Sequence, residues 1–312
     1  MQTVQTVTGA LSPADLGHCQ MHEHLFVRET PAAKANPALR IDDEAKSALE
    51  LSDYFTLGGR TILDAQPGGA GRDAMALQRL NSASGVHIIT VTGFHRPMFY
   101  PPDSFFFTQD GDALFERFLM ELQVGVADNA TRLPIRAGAV KAALGPEGPV
   151  GRDETLLKAA ARAAAKGDAP LVLHTESGAG AVKAVGLCER MGLDPRRVLV
   201  CHADRQASDF RPHEEIAATG SFLECDTIGR FKYHDDESEI RLILLMLEKG
   251  HRDRLLLSLD TTAARLRRYG GEIGLTYLFE VFLPALARSG VSPADLEAIT
   301  RANPARAFAG LT

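Results

Sequence analysis

Met21-His22-Glu23-His24-Leu25 places two histidines two residues apart beside apolar neighbours. In an extended segment that spacing turns both imidazoles to one face. Two neutral nitrogen donors on one face can grip a divalent metal. Further along the chain, four more apolar runs lead into residues of ligand type: Lys141, His174, His202 and Asp260. Four histidines and an aspartate exceed what one four-coordinate zinc with an open position needs, so the set suits two divalent ions. A lysine ammonium repels a cation. Lys141 makes sense there only if carbon dioxide converts its amine into a carbamate, an anion whose two oxygens can bridge two metals.

The residues just named need short strands to carry them. Strands are expected at 19–26, 60–64, 86–92, 135–140, 171–173, 198–201, 221–225 and 255–259. Helices are expected between them at 42–57, 72–84, 110–128, 153–166, 178–191, 209–219 and 238–249, and 272–289 plus two short helices close the chain. Continuous apolar strands alternating with helices argue a parallel sheet covered on both faces. Eight such units fit an α/β chain folded as a (β/α)8 TIM barrel with extra C-terminal helices, which typically takes about 250 residues. No Gly-x-Gly-x-x-Gly follows the first strand, which argues against a doubly wound open sheet. Function in such a barrel sits at the carboxyl ends of the strands, where all six ligand-type residues converge. The stretch 97–108 is rich in proline and aromatic residues, lacks either period, and is expected to border the substrate.

Of the 312 residues 45% are apolar and 24% charged, the composition of an ordinary soluble enzyme. A net charge of −6 speaks against nucleic acid or an anionic membrane as partner. No apolar run approaches the length of a membrane span, and Met1-Gln2-Thr3-Val4 has neither the charged nor the apolar part of a leader. Cys19, Cys188, Cys201 and Cys225 are dispersed, without Cys-x-x-Cys, as reduced thiols of a cytoplasmic protein would be. With no linker, repeat or low-complexity tract, residues 1–312 are expected to form one hydrolase domain.

In order along the chain, Met21-His22-Glu23-His24, Lys141, His174, His202 and Asp260 resemble the ligand series of the phosphotriesterase-related branch of the amidohydrolase superfamily. The likeness runs from Gly9 to about Phe308 and takes in Gly59-Arg60-Thr61-Ile62-Leu63-Asp64 and Thr92-Gly93-Phe94-His95. It implies that His22, His24 and Asp260 hold the more buried ion and that His174 and His202 hold the more exposed one. Carboxylated Lys141 and a hydroxide would bridge the two. It implies hydrolysis by attack of that hydroxide on a carbonyl or phosphoryl oxygen's carbon or phosphorus. Asp260 would be the proton acceptor, and Asp204, two residues past His202, a relay. Zinc is the first expectation for both ions, and manganese, cobalt and nickel also suit such ligands. A homodimer is implied as well.

Within that branch, Gly93-Phe94-His95-Arg96-Pro97-Met98-Phe99-Tyr100-Pro101 and Ile228-Gly229-Arg230-Phe231-Lys232-Tyr233 resemble the sugar and phosphosugar lactonases. A small-molecule lactone is the implied substrate. Thr227 follows Asp226 where phosphotriesterases proper carry a histidine, which leaves phosphotriester hydrolysis, like carboxylester hydrolysis, as an alternative. Arg230, Lys232 and Arg265, with Tyr100, are candidates for gripping a substrate carboxylate or phosphate. Ala263 stands where some phosphosugar lactonases carry a basic residue, which argues against a phosphate on the substrate and leaves a neutral or carboxylated sugar lactone or a small ester open. Two rival readings are a one-metal deaminase-type enzyme with Glu176 as its acid, which has no use for Lys141, and a non-catalytic, metal-stabilised binding scaffold.

Overall fold

The computed structural model describes residues 3–128, 131–176 and 178–309. Eight strands pair in chain order in one parallel sheet: β1 (His18–Glu23), β2 (Gly59–Asp64), β3 (His87–Gly93), β4 (Ala139–Ala143), β5 (Leu171–His174), β6 (Val198–Cys201), β7 (Phe222–Cys225) and β8 (Leu255–Leu257). The ring is drawn together beyond β8, where the Asp260 amide donates to the His22 carbonyl at 3.1 Å and the His22 amide donates to Ser258 Oγ at 2.9 Å. Between successive strands lie α1 (Glu44–Thr56), α2 (Ala74–Ser84), α3 (Gly111–Gln123), α4 (Gly151–Lys166), α5 (Ala181–Arg190), α6 (Arg211–Ala218) and α7 (Asp236–Glu248). The result is the (β/α)8 barrel that the alternating pattern calls for. Asp43, Asp73, Asp110 and Asp235 cap their helices, each carboxylate accepting an otherwise orphaned first-turn amide.

The barrel divides its apolar residues by strand face. Cys19, Met21, Leu63, Ile89, Val91, Ala139, Val172, Leu199, Phe222 and Leu256 fill the interior, with Val4, Leu16 and Phe308 packed against them. Ile62, Ile88, Val140, Leu171, Leu173, Val200 and Leu223 pack outwards on the helices. β1 changes its register on β2 between Gln20 and Glu23, so one extra residue is fitted in. Such a bulge re-aims the side chains beyond it. Cys19 and Met21 point into the inner core, and His22, within the bulge, and His24, past it, face the other ligand-type residues.

Several elements depart from the sequence pattern. The first strand, expected to run to 26, ends at Glu23, so His24 lies just beyond it. The fourth strand runs from Ala139 to Ala143 instead of 135–140, so Lys141 lies within the strand and not beyond its end. Ile135 is already taken: its carbonyl accepts from the Val126 amide at 2.7 Å, and the Ala137 amide donates to the Glu121 carbonyl at 3.0 Å. The helix expected to 128 stops at Gln123, and Ala127–Asp128 pairs with Thr131–Arg132. The helix expected from 272 begins only at Leu278, as a π-helical turn leading into Leu283–Arg288. Its would-be first turns are bound elsewhere, the Ile273 amide to the Arg265 carbonyl at 3.1 Å and the Leu275 amide to Glu50 Oε2 at 3.1 Å.

Gly93 shows how closely β3 and β4 approach beside Lys141. Its φ is +104°, and a Cβ there would lie 2.0 Å from the Lys141 carbonyl oxygen, which accepts from the Phe94 amide at 3.0 Å. Gly93→Ala is therefore expected to cost about 3 kcal/mol of stability through strain and lost pairing. Denaturant midpoints of the two proteins check this; equal midpoints would mean the strands can part there without cost.

Candidate metal centre and active-site pocket

All six ligand-type residues lie at the carboxyl end of the barrel. His22 Nε2 is 2.9 Å from Lys141 Nζ and 3.8 Å from Asp260 Oδ1, and His24 Nε2 is 3.4 Å from the same oxygen. Donor atoms of His22, His24 and Asp260 all lie within 4.8 Å of one another. His202 Nε2 faces His174 Nδ1 at 2.8 Å. Two of these residues hold left-handed backbone, His202 at φ 65° and Asp260 at φ 48°. Such strain persists only where the surroundings fix it. At Asp260 the clamp is Glu23, the middle residue of His-Glu-His. Its carboxylate accepts from the amides on either side, Leu259 at 2.7 Å and Thr261 at 3.0 Å, and from Thr261 Oγ1 at 2.7 Å.

Electrostatics prepare the rings as neutral donors. Burial, and then the Lys141 amine, hold His22 well below the usual histidine range. Burial and then His174 do the same to His202. Burial takes His174 to about 3, against the pull of Glu176. Burial also lowers the Lys141 amine, which has no exposed surface. Burial would raise the Asp260 carboxyl, but Arg230, His24, His202 and His22 together outweigh it and hold it well below the carboxylate range.

The donor set fits divalent ions. His202 Nδ1 lies 2.7 Å from Asp226 Oδ1, which places the ring hydrogen on Nδ1 and a lone pair on Nε2. His174 Nε2 faces Glu176 Oε1 at 3.4 Å, which favours a hydrogen there and a lone pair on Nδ1. Two lone pairs then face each other, an arrangement that a cation satisfies. His24 Nδ1, on the far side of its ring, is buried without a hydrogen-bond partner among the described residues.

A cavity of about 150 Å³ opens over these groups. Val27, Leu39, Ile41 and Phe99 give it apolar lining, and Arg205 and Arg230 bring two guanidiniums. Arg230 Nη2 is 2.9 Å from Asp260 Oδ2, and Arg205 Nη2 is 3.8 Å from the same oxygen while its Nη1 contacts Glu176 at 3.2 Å. The irregular stretch after β3 reaches the cavity through Phe99, whose ring stacks on His95 at 4.0 Å.

Of the four residues expected to grip the substrate, Arg230 alone lines this cavity. Tyr100 is buried, its hydroxyl accepting from the His95 amide at 2.8 Å and its ring stacked on Phe106. Arg265 is buried too, its guanidinium donating to the carbonyls of Leu259, Asp260 and Ile228. Lys232 is exposed, its ammonium 4.5 Å from the centre of the Tyr233 ring. Asp204 is fully buried behind the cavity. Its Oδ2 accepts from the Thr227 amide at 2.7 Å, and burial with the nearby Asp226 raises its carboxyl to about 7. The sequence reading missed Arg205 and Asp226. Arg205 stands three residues past His202, and Asp226 stands directly after an apolar strand, the same signal that marked the others.

The barrel and its donor set define an amidohydrolase-type enzyme. The chain belongs to the phosphotriesterase family, whose profile matches residues 2–308, and it is a hydrolase acting on ester bonds. The family is one of binuclear metal enzymes. The phosphotriesterase homology protein of Escherichia coli is 27% identical over 94% of this chain and 98% of its own. A phospho-furanose lactonase of Mycoplasmopsis synoviae is 28% identical over 98% of this chain and 91% of its own. The crystal structure of a lactonase from Listeria monocytogenes superposes with a TM-score of 0.92 at 25% identity, covering 99% of this chain and all of its own. Among the described residues no helix is long and apolar enough to cross a membrane.

Proposed function

We propose that this chain is a binuclear metal-dependent hydrolase that opens a lactone, a sugar or phosphosugar lactone. One observation carries the reading: the donors of His22, His24 and Asp260 and the facing nitrogens of His174 and His202 share one cavity beside the buried Lys141 amine. Relatives named as lactonases support the substrate class. His22, His24 and Asp260 would hold one ion, His174 and His202 the other, and carboxylated Lys141 would join the two. Such ions, when bound, supply Lewis acidity and bring the pKa of water to about neutral.

The chain's own residues do the remaining work. The Asp260 carboxylate takes the proton released as water adds to the carbonyl and delivers it to the departing alkoxide oxygen. Asp204 lies off the cavity wall, so a relay role for it requires a proton path past Asp226. Arg205 and Arg230 offer charge-assisted hydrogen bonds to a phosphate or carboxylate on the substrate. The apolar lining favours a second reading on the same site, hydrolysis of a small carboxylic ester.

A panel of neutral, carboxylated and phosphorylated lactones beside small esters, assayed with added metal, tests this. Absence of lactone turnover with two ions bound per chain removes the lactonase reading. Arg230→Met is expected to raise KM for an anionic lactone about 10–100-fold, the worth of a charged hydrogen bond, and to change KM for its neutral counterpart far less. Equal changes for both would deny Arg230 the anion.

A further inference from the structure

Asp226 follows β7 directly, is fully buried, and touches two ligand-type histidines at once. Its Oδ2 is 2.8 Å from His22 Nδ1 and its Oδ1 is 2.7 Å from His202 Nδ1. A neutral imidazole carries one hydrogen and one lone pair. A carboxylate only accepts, so each oxygen fixes the hydrogen of its ring on Nδ1 and leaves Nε2 free to bind a cation. The far nitrogen of His22 agrees with that assignment, since it faces an amine that can donate, and that of His202 faces the other proposed ligand of its ion. His22 Nε2 faces Lys141 Nζ at 2.9 Å, and His202 Nε2 faces His174 Nδ1 at 2.8 Å. The two rings belong to different halves of the donor set, and one side chain holds both.

We propose that Asp226 is a positioning residue that sets the lone-pair nitrogen of one histidine in each half of the metal centre, His22 in one and His202 in the other. This rests on the binuclear reading above. The carboxylate does so because its two oxygens are chemically alike. An amide in the same place is not. Its oxygen can accept from one ring, but its NH2 must face the other, and that ring can answer only by moving its hydrogen to Nε2. It then cannot bind a cation through that atom. Asp226→Asn should therefore disable one half and spare the other, whereas Asp226→Ala removes the acceptor from both.

Two measurements decide the matter. In metal-free wild-type protein, nitrogen-15 NMR of labelled histidines should show His22 and His202 both with the hydrogen on Nδ1, and Asp226→Asn should switch one of them to Nε2. In chelator-buffered metal titrations, Asp226→Asn should bind one ion as the wild type does and the other about 10–100-fold more weakly, the usual effect of losing an outer partner. Asp226→Ala should weaken both. Nε2 hydrogens in the wild type, or two unchanged affinities in Asp226→Asn, would overturn the proposal. If the wild type itself saturates at one ion per chain, the binuclear reading fails, while the wild-type tautomers, which need no variant to fold, still decide the role of Asp226.

Discussion

Lys141→Ala is expected to lose both metal and turnover, and a short carboxylic acid supplied with excess metal is expected to restore part of each. The side chain has no exposed surface and its amine stands 2.9 Å from His22 Nε2, in the midst of the donor set. As an ammonium it would hold a positive charge where two divalent ions are proposed to sit. As a carbamate it changes the local charge by two units in their favour. The neighbours allow the larger group, since Ala142 and Ala143 follow in the strand and Gly93 is the facing residue on β3. Losing a group that binds the ions directly should exceed the about 10–100-fold that losing an outer partner costs. Metal analysis after dialysis, then activity with and without propionate, checks this. The opposing case is an uncarboxylated lysine that hydrogen-bonds the substrate beside one ion. There metal content would stay at the wild-type level and a small amine, not an acid, would rescue.

The ligand series was legible because a parallel barrel makes it so. Its strands are apolar on both faces, so a histidine or aspartate ending such a run stands out, as His174, His202 and Asp260 do. What the sequence hid is what depends on partners far along the chain. The bulge in β1 is a property of its pairing with β2. Lys141 reads as following a strand because Ile135 to Gly138 look extended, yet Ile135 and Ala137 are bound to the segment after α3 and to the end of α3. Arg265 and Tyr100 look like loop residues free for a ligand, and the fold spends both on backbone groups. Asp226 ends an apolar strand as the others do, but its partners do not show in the sequence: His22 lies 204 residues away and His202 24 away.

Asp260→Asn is expected to leave the fold intact and lower kcat by about 10²–10⁴-fold, the usual contribution of a positioned acid or base. The backbone at this residue is held independently of its side chain. Glu23 binds the amides of Leu259 and Thr261, and the Asp260 amide itself donates to the His22 carbonyl at 3.1 Å. Asparagine tolerates the left-handed φ of 48° found here, and its amide oxygen can keep the Arg230 contact. The substitution therefore changes chemistry at one atom while shape and position stay. A neutral amide cannot take a proton in the working pH range, and it is a weaker ligand for a cation. These two losses are separable. Raising the metal concentration until both ions are bound removes the second, and whatever deficit in kcat persists belongs to proton transfer. A circular dichroism spectrum like the wild type's confirms that the barrel is intact. Near-normal turnover with both ions in place would take the proton-acceptor role away from Asp260 and leave it a ligand alone.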